Sequence, residues 1–132
     1  MFNTENNILR IMTRIFKSNE CFQPNDNAEP IRSVVTESHE ATIVAWSLNP
    51  GQEIPPHIHP KGQDTWTILN GTGQYYLDEL GNCETIVAGD IVIAKIGEVH
   101  GVRNHGDQTL TFISIVAPFE AGYEKITSDR VL

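Results

Sequence analysis

Short segments that alternate between apolar and polar residues recur along this chain. They are rich in β-branched and aromatic residues, and Gly, Asn, Asp or Pro bounds each of them. The segments are residues 41–48, 64–69, 73–78, 90–96 and 110–118. Alternation with a period of two places every second side chain on the same face of a strand. Many short strands separated by turn residues predict an all-β fold of antiparallel strands, arranged as a sandwich or as a closed or nearly closed barrel.

The length and the charge of the chain limit its size class and its partners. The 132 residues suit a single domain with one hydrophobic core. The formal net charge is −8 and the isoelectric point is about 4.9. A negative field of this size repels nucleic-acid phosphates and anionic membrane surfaces. We therefore expect no nucleic-acid partner and no membrane partner.

The two cysteines and the N-terminus bear on the compartment. Cys21 and Cys83 lie far apart, and neither belongs to a metal-binding Cys or His spacing, so two free thiols are expected rather than a disulfide. No apolar run approaches the roughly 20 residues that a membrane span needs. The N-terminus has no long apolar region followed by a small-residue cleavage site, as a secretory signal would. The sequence therefore predicts a cytoplasmic protein.

Two histidines in the stretch PPHIHP are the first candidates for a functional site. His57 and His59 are two residues apart, so a strand would place both imidazoles on the same face. Pro55, Pro56 and Pro60 restrict the backbone around them, which lowers the entropy lost when the imidazoles are held in place. Two neutral ring nitrogens aimed at one point suit a divalent metal ion.

Two later stretches could add a carboxylate and a third imidazole to this pair. In the strand predicted from residue 64, Asp64 shares a face with Trp66 and Ile68, so the carboxylate would stand beside an apolar wall. In VHGVRN, His100 shares a face with Val102. A neighbouring strand could bring His100 beside the first two histidines, but spacing alone leaves this open. Trp66, Ile68 and Val102 are candidate pocket-wall residues.

The stretch GQEIPPHIHPKGQDTWTILNG resembles the first motif of the cupin family, G-x5-H-x-H-x(3,4)-E-x6-G. The residues at its fixed positions are Gly51, His57, His59, Asp64 and Gly71. Asp64 replaces the glutamate of the motif and is one methylene shorter. It could reach a metal ion directly, bind it through water, or leave a site of three histidines.

A later stretch, GDIVIAKIGEVHGVRN, resembles the second cupin motif, G-x5-P-x-G-x2-H-x3-N. The matching residues are Gly89, Gly97, His100 and Asn104. Lys95 replaces the proline of the motif, which costs some turn rigidity but no metal ligand. Two motifs of several positions each, in the proper order, make a far more specific resemblance than either motif alone.

The resemblance to small single-domain cupins implies a fold and a domain organisation. It implies a jelly-roll β-barrel of antiparallel strands over residues 21–125. Residues 1–20 would form an N-terminal arm or tail, and residues 126–132 would form a C-terminal tail. Asn104 would belong to the scaffold.

The same resemblance implies one divalent metal ion near the mouth of the barrel. Its implied ligands are His57, His59, Asp64 and His100. Three imidazoles and one carboxylate suit Fe, Mn, Ni, Co or Zn, and fit Cu(I) or Ca poorly. Four protein ligands on an octahedral ion would leave two positions for substrate, water or dioxygen.

Such a site implies a metal-dependent enzyme that acts on a small molecule inside the barrel. The chemistry would be that of a dioxygenase, or that of an isomerase, decarboxylase or lyase. Asp64 is the candidate catalytic base if it is not bound to the metal. A module that binds or senses a small ligand without turnover is the alternative, and a metal-free structural partner is a third.

The N-terminal residues bear on self-association. Small cupins commonly form homodimers, often by adding an N-terminal strand to the partner's sheet. The apolar residues that could do so here are Ile8, Leu9, Ile11, Ile15 and Phe16. The expected partners are therefore a small-molecule ligand and a second copy of this chain.

Overall fold

The computed structural model describes residues 13–126, which form ten β-strands and one short 3-10 helix, η1. The elements in chain order are η1 Ser18–Glu20, β1 Ile31–Glu37, β2 Thr42–Leu48, β3 Glu53–Ile58, β4 Gln63–Asn70, β5 Thr72–Tyr76, β6 Cys83–Val87, β7 Ile91–Ala94, β8 His100–Arg103, β9 Leu110–Ala117 and β10 Glu124–Lys125. No helix in this part of the chain is long and apolar enough to cross a membrane. Within this part of the chain Cys21 and Cys83 are not joined by a disulfide, as predicted, and the thiol of Cys21 donates a hydrogen bond of 3.2 Å to the carbonyl of Lys17.

The strands form two antiparallel sheets of five strands each. The first sheet has the order β1-β2-β9-β4-β7, and the second has the order β10-β3-β8-β5-β6. Most neighbours in each sheet are distant in sequence, as in a jelly roll. Between residues 13 and 126 the sheets are not joined into one continuous hydrogen-bonded barrel. The predicted antiparallel all-β jelly roll is therefore confirmed, in the form of two separate sheets rather than a closed barrel.

The alternation of β4 sets which of its side chains face the space between the sheets. Asp64, Trp66 and Ile68 are buried, whereas Gln63 and Thr67 are exposed. The same face of the strand thus carries one carboxylate and two large apolar groups. The shared face predicted for Asp64, Trp66 and Ile68 is confirmed, and it directs the carboxylate into the interior.

Strand β3 contains Pro55 and Pro56, and alternation alone does not predict it. A proline cannot donate a ladder hydrogen bond, so it is tolerated in sheets only at edges and irregular points. The register of β3 against β8 shifts between Ile54 and His57, and this irregularity takes up both prolines. Beyond the shift, His57 pairs directly with His100 of β8. The irregular register therefore places two of the candidate ligands opposite each other.

An apolar cluster fills the space between the sheets beside these ligands. Its members are Leu48, Ile54, Trp66, Ile68, Tyr75, Ile86, Val102, Leu110 and Phe112. Trp66 stacks on Phe112 with ring centroids 4.1 Å apart, and Tyr75 meets Trp66 edge-on at 5.3 Å. Because Tyr75 comes from the second sheet and the other two rings come from the first, this contact holds the two sheets together.

Candidate metal centre

Four side chains on or next to three strands, two from one sheet and one from the other, converge inside the sandwich. His57 lies on β3, and His59 is the first residue after the end of that strand. His100 lies on β8 of the same sheet. Asp64 comes from β4 of the opposite sheet. One potential ligand atom from each residue lies within 4.8 Å of those of the other three. The structure thus brings together the four residues that the cupin motifs imply as ligands, and the group is positioned to bind a metal ion.

A backbone carbonyl oxygen orients each of the three imidazoles through its Nδ1 atom. The contacts join His57 to Pro55 at 2.8 Å, His59 to Gly122 at 2.6 Å and His100 to Glu98 at 3.1 Å. Because a carbonyl oxygen can only accept a hydrogen bond, it holds the proton of a neutral imidazole on Nδ1 and leaves the lone pair of that ring on Nε2 for a metal ion. Such contacts also fix the ring and raise the basicity of a metal-binding imidazole. All three Nε2 atoms can therefore serve as ligands.

Asp64 reaches the imidazoles despite its short side chain. Its Oδ2 atom lies 3.1 Å from Nε2 of His100 and 3.3 Å from Nε2 of His59. Its Oδ1 atom accepts a hydrogen bond of 2.6 Å from the hydroxyl of Ser114 on β9. Ser114 thus fixes Oδ1, while Oδ2 faces the Nε2 atoms of His59 and His100. This geometry places Oδ2 of Asp64 among the potential ligand atoms of the group.

Ser114 is a site residue that no motif in the sequence indicates. Its alternation with Leu110 and Phe112 places it on the inward face of β9, but nothing in the sequence pairs it with Asp64. We expect Ser114→Ala to weaken metal affinity by about tenfold or more, because the carboxylate loses the hydrogen bond that orients it. Competition with a chromophoric chelator measures this affinity.

The matched control for Ser114 is Ser47→Ala, at a serine that is buried on β2 outside the group of four. This variant is expected to keep the metal affinity of the unsubstituted protein. Equal losses in the two variants would show that the effect comes from general loosening of the sandwich and not from Asp64.

Burial and hydrogen bonds set the charges of two members of the group. Burial and, after it, the proximity of His100 lower the pKa of His57 to about 4. Burial alone would raise the pKa of Asp64, but hydrogen bonds from the neighbouring imidazoles and from Ser114 outweigh it and hold the pKa well below its usual range. A neutral imidazole and an ionised carboxylate are the protonation states that metal binding requires.

The shifted pKa of His57 predicts how the metal-free protein responds to acid. The pKa is about 4 in the folded state against 6.5 for an ordinary histidine. Between these values the unfolded chain binds more protons, so stability falls as the pH drops through this window, by about 3 kcal/mol in all. His59 acts in the opposite sense. Burial lowers its pKa, but the hydrogen bond with Asp64 and the Gly122 carbonyl raise it above the ordinary value, so its contribution is lost as the pH rises.

We therefore expect His57→Gln to flatten the pH dependence of stability between pH 6.5 and about 4. The urea midpoint of chelator-treated protein, followed across this range, measures the slope. An unchanged slope in the variant would contradict the assignment of this pH dependence to His57.

Residues 118–126, called here the closing segment, run beside the stretch that carries His57 and His59. The N–H of Lys61 donates to the carbonyl of Ala121 at 2.8 Å, and the N–H of Ile126 donates to the carbonyl of Pro56 at 3.0 Å. Gly122 has a φ of 77°, in the left-handed region that glycine adopts without strain. This turn presents the carbonyl of Gly122 to His59.

Tyr123 is a further residue of the closing segment that no sequence motif indicates. Its ring centroid lies 5.0 Å from that of His57 and 6.2 Å from that of His59. The side chain is 59% exposed. It therefore stands at the open side of the group, where a bound molecule would meet it.

The turn before His100 explains how the chain tolerates Lys95 in place of the proline of the motif. The backbone N–H of Lys95 donates to Oε1 of Glu98 at 2.7 Å, and the N–H of Glu98 donates to the carbonyl of Lys95 at 2.9 Å. Glu98 is exposed, yet its carboxylate closes the turn and its backbone carbonyl orients His100. A hydrogen-bonded turn thus restrains the backbone here, as the proline ring does in the motif.

A cavity of about 690 Å³ opens beside the group, and His57, His59 and Asp64 line it. Of the three candidate wall residues, the structure places Trp66 in the lining of this cavity. Ile68 and Val102 are instead packed in the apolar cluster, where they are 1% and 0% exposed. They lie deeper along their strands, so neighbouring core side chains enclose them.

The remaining polar candidates lie outside the group of four. The side-chain amide of Asn104 donates to the carbonyls of Leu48 at 2.9 Å and Gln108 at 2.8 Å, so it ties the loop between β8 and β9 to the end of β2. His39 and His105 are exposed. They serve below as controls for the three clustered histidines.

Sequence comparison assigns a family to this fold and site. A sequence model described as a cupin domain matches residues 44–116, which is more than half of the chain. The chain belongs to the cupin family. Its jelly roll and its four clustered residues are what the two motifs imply for that family.

Three relatives place the chain within the family. It is 45% identical to an uncharacterised conserved protein with a double-stranded β-helix domain from Klebsiella pneumoniae. The alignment covers 88% of this chain and 99% of that one, and the two structures superpose with a TM-score of 0.81. It is 30% identical over 69 residues to an oxalate-binding protein of Thermotoga maritima, and it spans only 55% of that protein's length. A predicted oxalate decarboxylase from Thermotoga maritima is 23% identical, with a TM-score of 0.64 over 68% of this chain and 81% of that one, and shares the fold.

Proposed function

We propose that this cupin binds one divalent transition metal ion and acts on a small molecule that ligates the ion inside the cavity. The proposed ligands are His57, His59, Asp64 and His100. The observation that carries the proposal is the convergence, within 4.8 Å, of ligand atoms from a carboxylate and three imidazoles that backbone carbonyls orient. A mixed set of nitrogen and oxygen donors suits Fe, Mn, Ni, Co or Zn.

The side chains of the site have separate roles in this proposal. A bound ion would supply Lewis-acid activation of an oxygen ligand or, if it is a redox metal, chemistry with dioxygen. Both dioxygenase chemistry and isomerase, decarboxylase or lyase chemistry fit such a site. Asp64 stays ionised, and its low pKa makes it a weak base, so we assign it to metal binding rather than to proton transfer. Trp66 and Tyr123 provide surfaces beside the group against which a substrate can pack.

Elemental analysis of protein purified without a histidine tag tests the proposal. We expect one equivalent of a transition metal per chain, lost on treatment with a chelator and regained on adding the same metal. If the metal is iron, oxygen uptake with small phenols, thiols and diketones is the next assay. Protein that holds no metal, even after anaerobic reconstitution, would overturn the proposal.

A binding module without turnover is the second candidate. The match to a protein named for binding oxalate favours it. Metal-loaded protein mixed with labelled oxalate separates the two candidates, because calorimetry detects binding and carbon NMR detects conversion to formate and carbon dioxide. Binding without conversion of oxalate, or of any compound in the oxygen-uptake assays, would favour the module.

We also propose that the protein is a homodimer. The residues of the N-terminal arm up to position 12 lie outside the described part of the chain, and Ile15 is 76% exposed. The outer face of the first sheet adds support, because Ile93 and Ile115 are 47% and 40% exposed and both pair with Thr65. Exposed apolar patches of this kind mark interaction sites.

Light scattering at micromolar concentration tests the dimer. We expect the mass of two chains for the unsubstituted protein and a shift toward one chain for Ile93→Lys, which places a charge on the apolar face. The mass of a single chain in the unsubstituted protein would contradict the dimer.

A further inference from the structure

The cavity is much larger than the metal-binding group needs. Its volume of about 690 Å³ lies within the range of about 300 to 1,000 Å³ that sites for drug-sized ligands occupy. A ligand as small as oxalate, chelating the ion, would fill only a small part of it. The remaining space therefore leaves room for a second part of the ligand.

The register of the first sheet shows in which direction this space extends. Asp64 pairs with Val116, and Val116 pairs with Thr42 of β2, so the metal-binding group lies level with the start of β2. Trp46 also lines the cavity and lies four residues further along β2, a distance of about 13 Å along a strand. The cavity thus runs from the metal-binding group along the sheet toward Trp46.

The surface along this path is apolar and includes aromatic rings. The apolar wall along this path consists of Val44, Trp46 and Ile54, whereas Val116, Phe119 and Tyr123 line the cavity on the side of the metal-binding group. Phe119 and Tyr123 of the closing segment are 45% and 59% exposed, so their rings are available to cover a bound molecule. Aromatic rings favour stacking and edge-on contacts with flat apolar groups.

The charges at the rim disfavour a second anionic group on the ligand. Among the described residues that line the cavity, Arg32 is the one lysine or arginine, and it stands with three glutamates outside the metal-binding group, Glu29, Glu37 and Glu53. The net charge of the whole chain is also negative, at −8. Arg32 pairs with Trp46 across β1 and β2, but the glutamates outnumber it, so the rim disfavours a second carboxylate relative to an uncharged body.

We propose that the ligand has two parts: a head with oxygen donors that chelates the ion, and an uncharged flat body that lies along the apolar wall toward Trp46. This inference rests on the metal-dependent function proposed above and narrows its substrate class. Compact dicarboxylates such as oxalate are then poor ligands, and aromatic or cyclic compounds with an enolate, diketonate or hydroxamate group are good ones.

Two hydroxamates with the same chelating head test this inference. Acetohydroxamate carries a methyl group, benzohydroxamate carries a phenyl group, and calorimetry with zinc-loaded protein compares them with each other and with oxalate. We expect benzohydroxamate to bind about tenfold or more tightly than acetohydroxamate, because its ring buries additional apolar surface. Equal affinities for the two hydroxamates, or a higher affinity for oxalate than for benzohydroxamate, would overturn the two-part ligand.

Substitutions in the apolar wall locate the body of the ligand. Trp46→Ala is expected to remove most of the preference for benzohydroxamate and to leave acetohydroxamate binding unchanged. Because Trp46 packs against the core, Trp46→Leu, which keeps an apolar side chain but removes the flat ring, is the second variant. Leu80→Ala, at an equally apolar residue that is 70% exposed outside the cavity, is the control.

The outcomes separate this inference from the proposed function. If zinc is retained and both hydroxamates bind without preference, the metal site stands and the two-part ligand is wrong. If the preference exists but survives both wall substitutions, the body lies elsewhere and the inference is again wrong. If the protein retains no metal, the proposed function fails, and the inference that rests on it fails with it.

Discussion

His57→Ala/His59→Ala is expected to reduce the metal content of the purified protein by more than about tenfold, because two of the four donors disappear and the remaining pair binds weakly. His100 and Asp64 would remain, with Nε2 and Oδ2 3.1 Å apart, as the one imidazole and the one carboxylate of the group. Elemental analysis of tag-free protein is the measurement.

The chain offers a matched control for this double variant. His39 and His105 are exposed and lie outside the group of four, so His39→Ala/His105→Ala removes the same number of imidazoles and should leave the metal content unchanged. Circular dichroism of both variants checks that the sheets have formed. Full metal content in the His57→Ala/His59→Ala variant would show that the ion is bound elsewhere.

Trp66→Ala is expected to lower the free energy of unfolding by about 3 to 5 kcal/mol, the range for truncating a large core aromatic residue. Trp66 is 1% exposed and contacts rings from both sheets: it stacks on Phe112 at 4.1 Å and meets Tyr75 at 5.3 Å. Its ring also lies 5.9 Å from that of His100, so its loss loosens the wall of the metal site. Urea denaturation of chelator-treated protein separates the loss of packing from any loss of metal.

Two further tryptophan variants serve as comparisons for the stability cost of Trp66→Ala. Within the described part of the chain, the indole N–H of Trp66 is buried without a hydrogen-bond acceptor. Trp66→Phe removes this unsatisfied donor and keeps most of the stacking, so we expect it to cost far less than Trp66→Ala. Trp46→Ala, at a half-buried position, should also cost less. A loss below about 1 kcal/mol for Trp66→Ala would mean that the two sheets do not depend on this ring.

Regular strands of this protein are predictable because alternation is a local property. Asp64, Trp66 and Ile68 share a buried face, as their spacing requires, since a pleated strand allows no other arrangement. Strand β3 is different. Its two prolines oppose a regular ladder, and pairing with β8 across a shifted register and with β10 on its other side makes it a strand.

Parts of the candidate site come from residues that no motif connects. Ser114 anchors Asp64 from a strand 50 residues away in sequence, and the carbonyl of Gly122 orients His59 from 63 residues away. A serine and a glycine are too common for either role to be visible in a single sequence. The turn formed by Lys95 and Glu98 is local, but its hydrogen bond replaces a proline and does not follow the motif.

The sequence by itself determined the antiparallel all-β fold, the inward face of β4 and, through two spaced motifs, the identity of the four residues that converge. The first two features depend on strand period, which is written along the chain, and the third depends on the resemblance to the two cupin motifs. The tertiary structure alone decided that Asp64 reaches the histidines, that backbone carbonyls hold all three imidazoles by Nδ1, and that Ile68 and Val102 are packed in the core and do not line the cavity. These features depend on how two sheets pack against each other, and packing joins residues that local physics leaves unrelated.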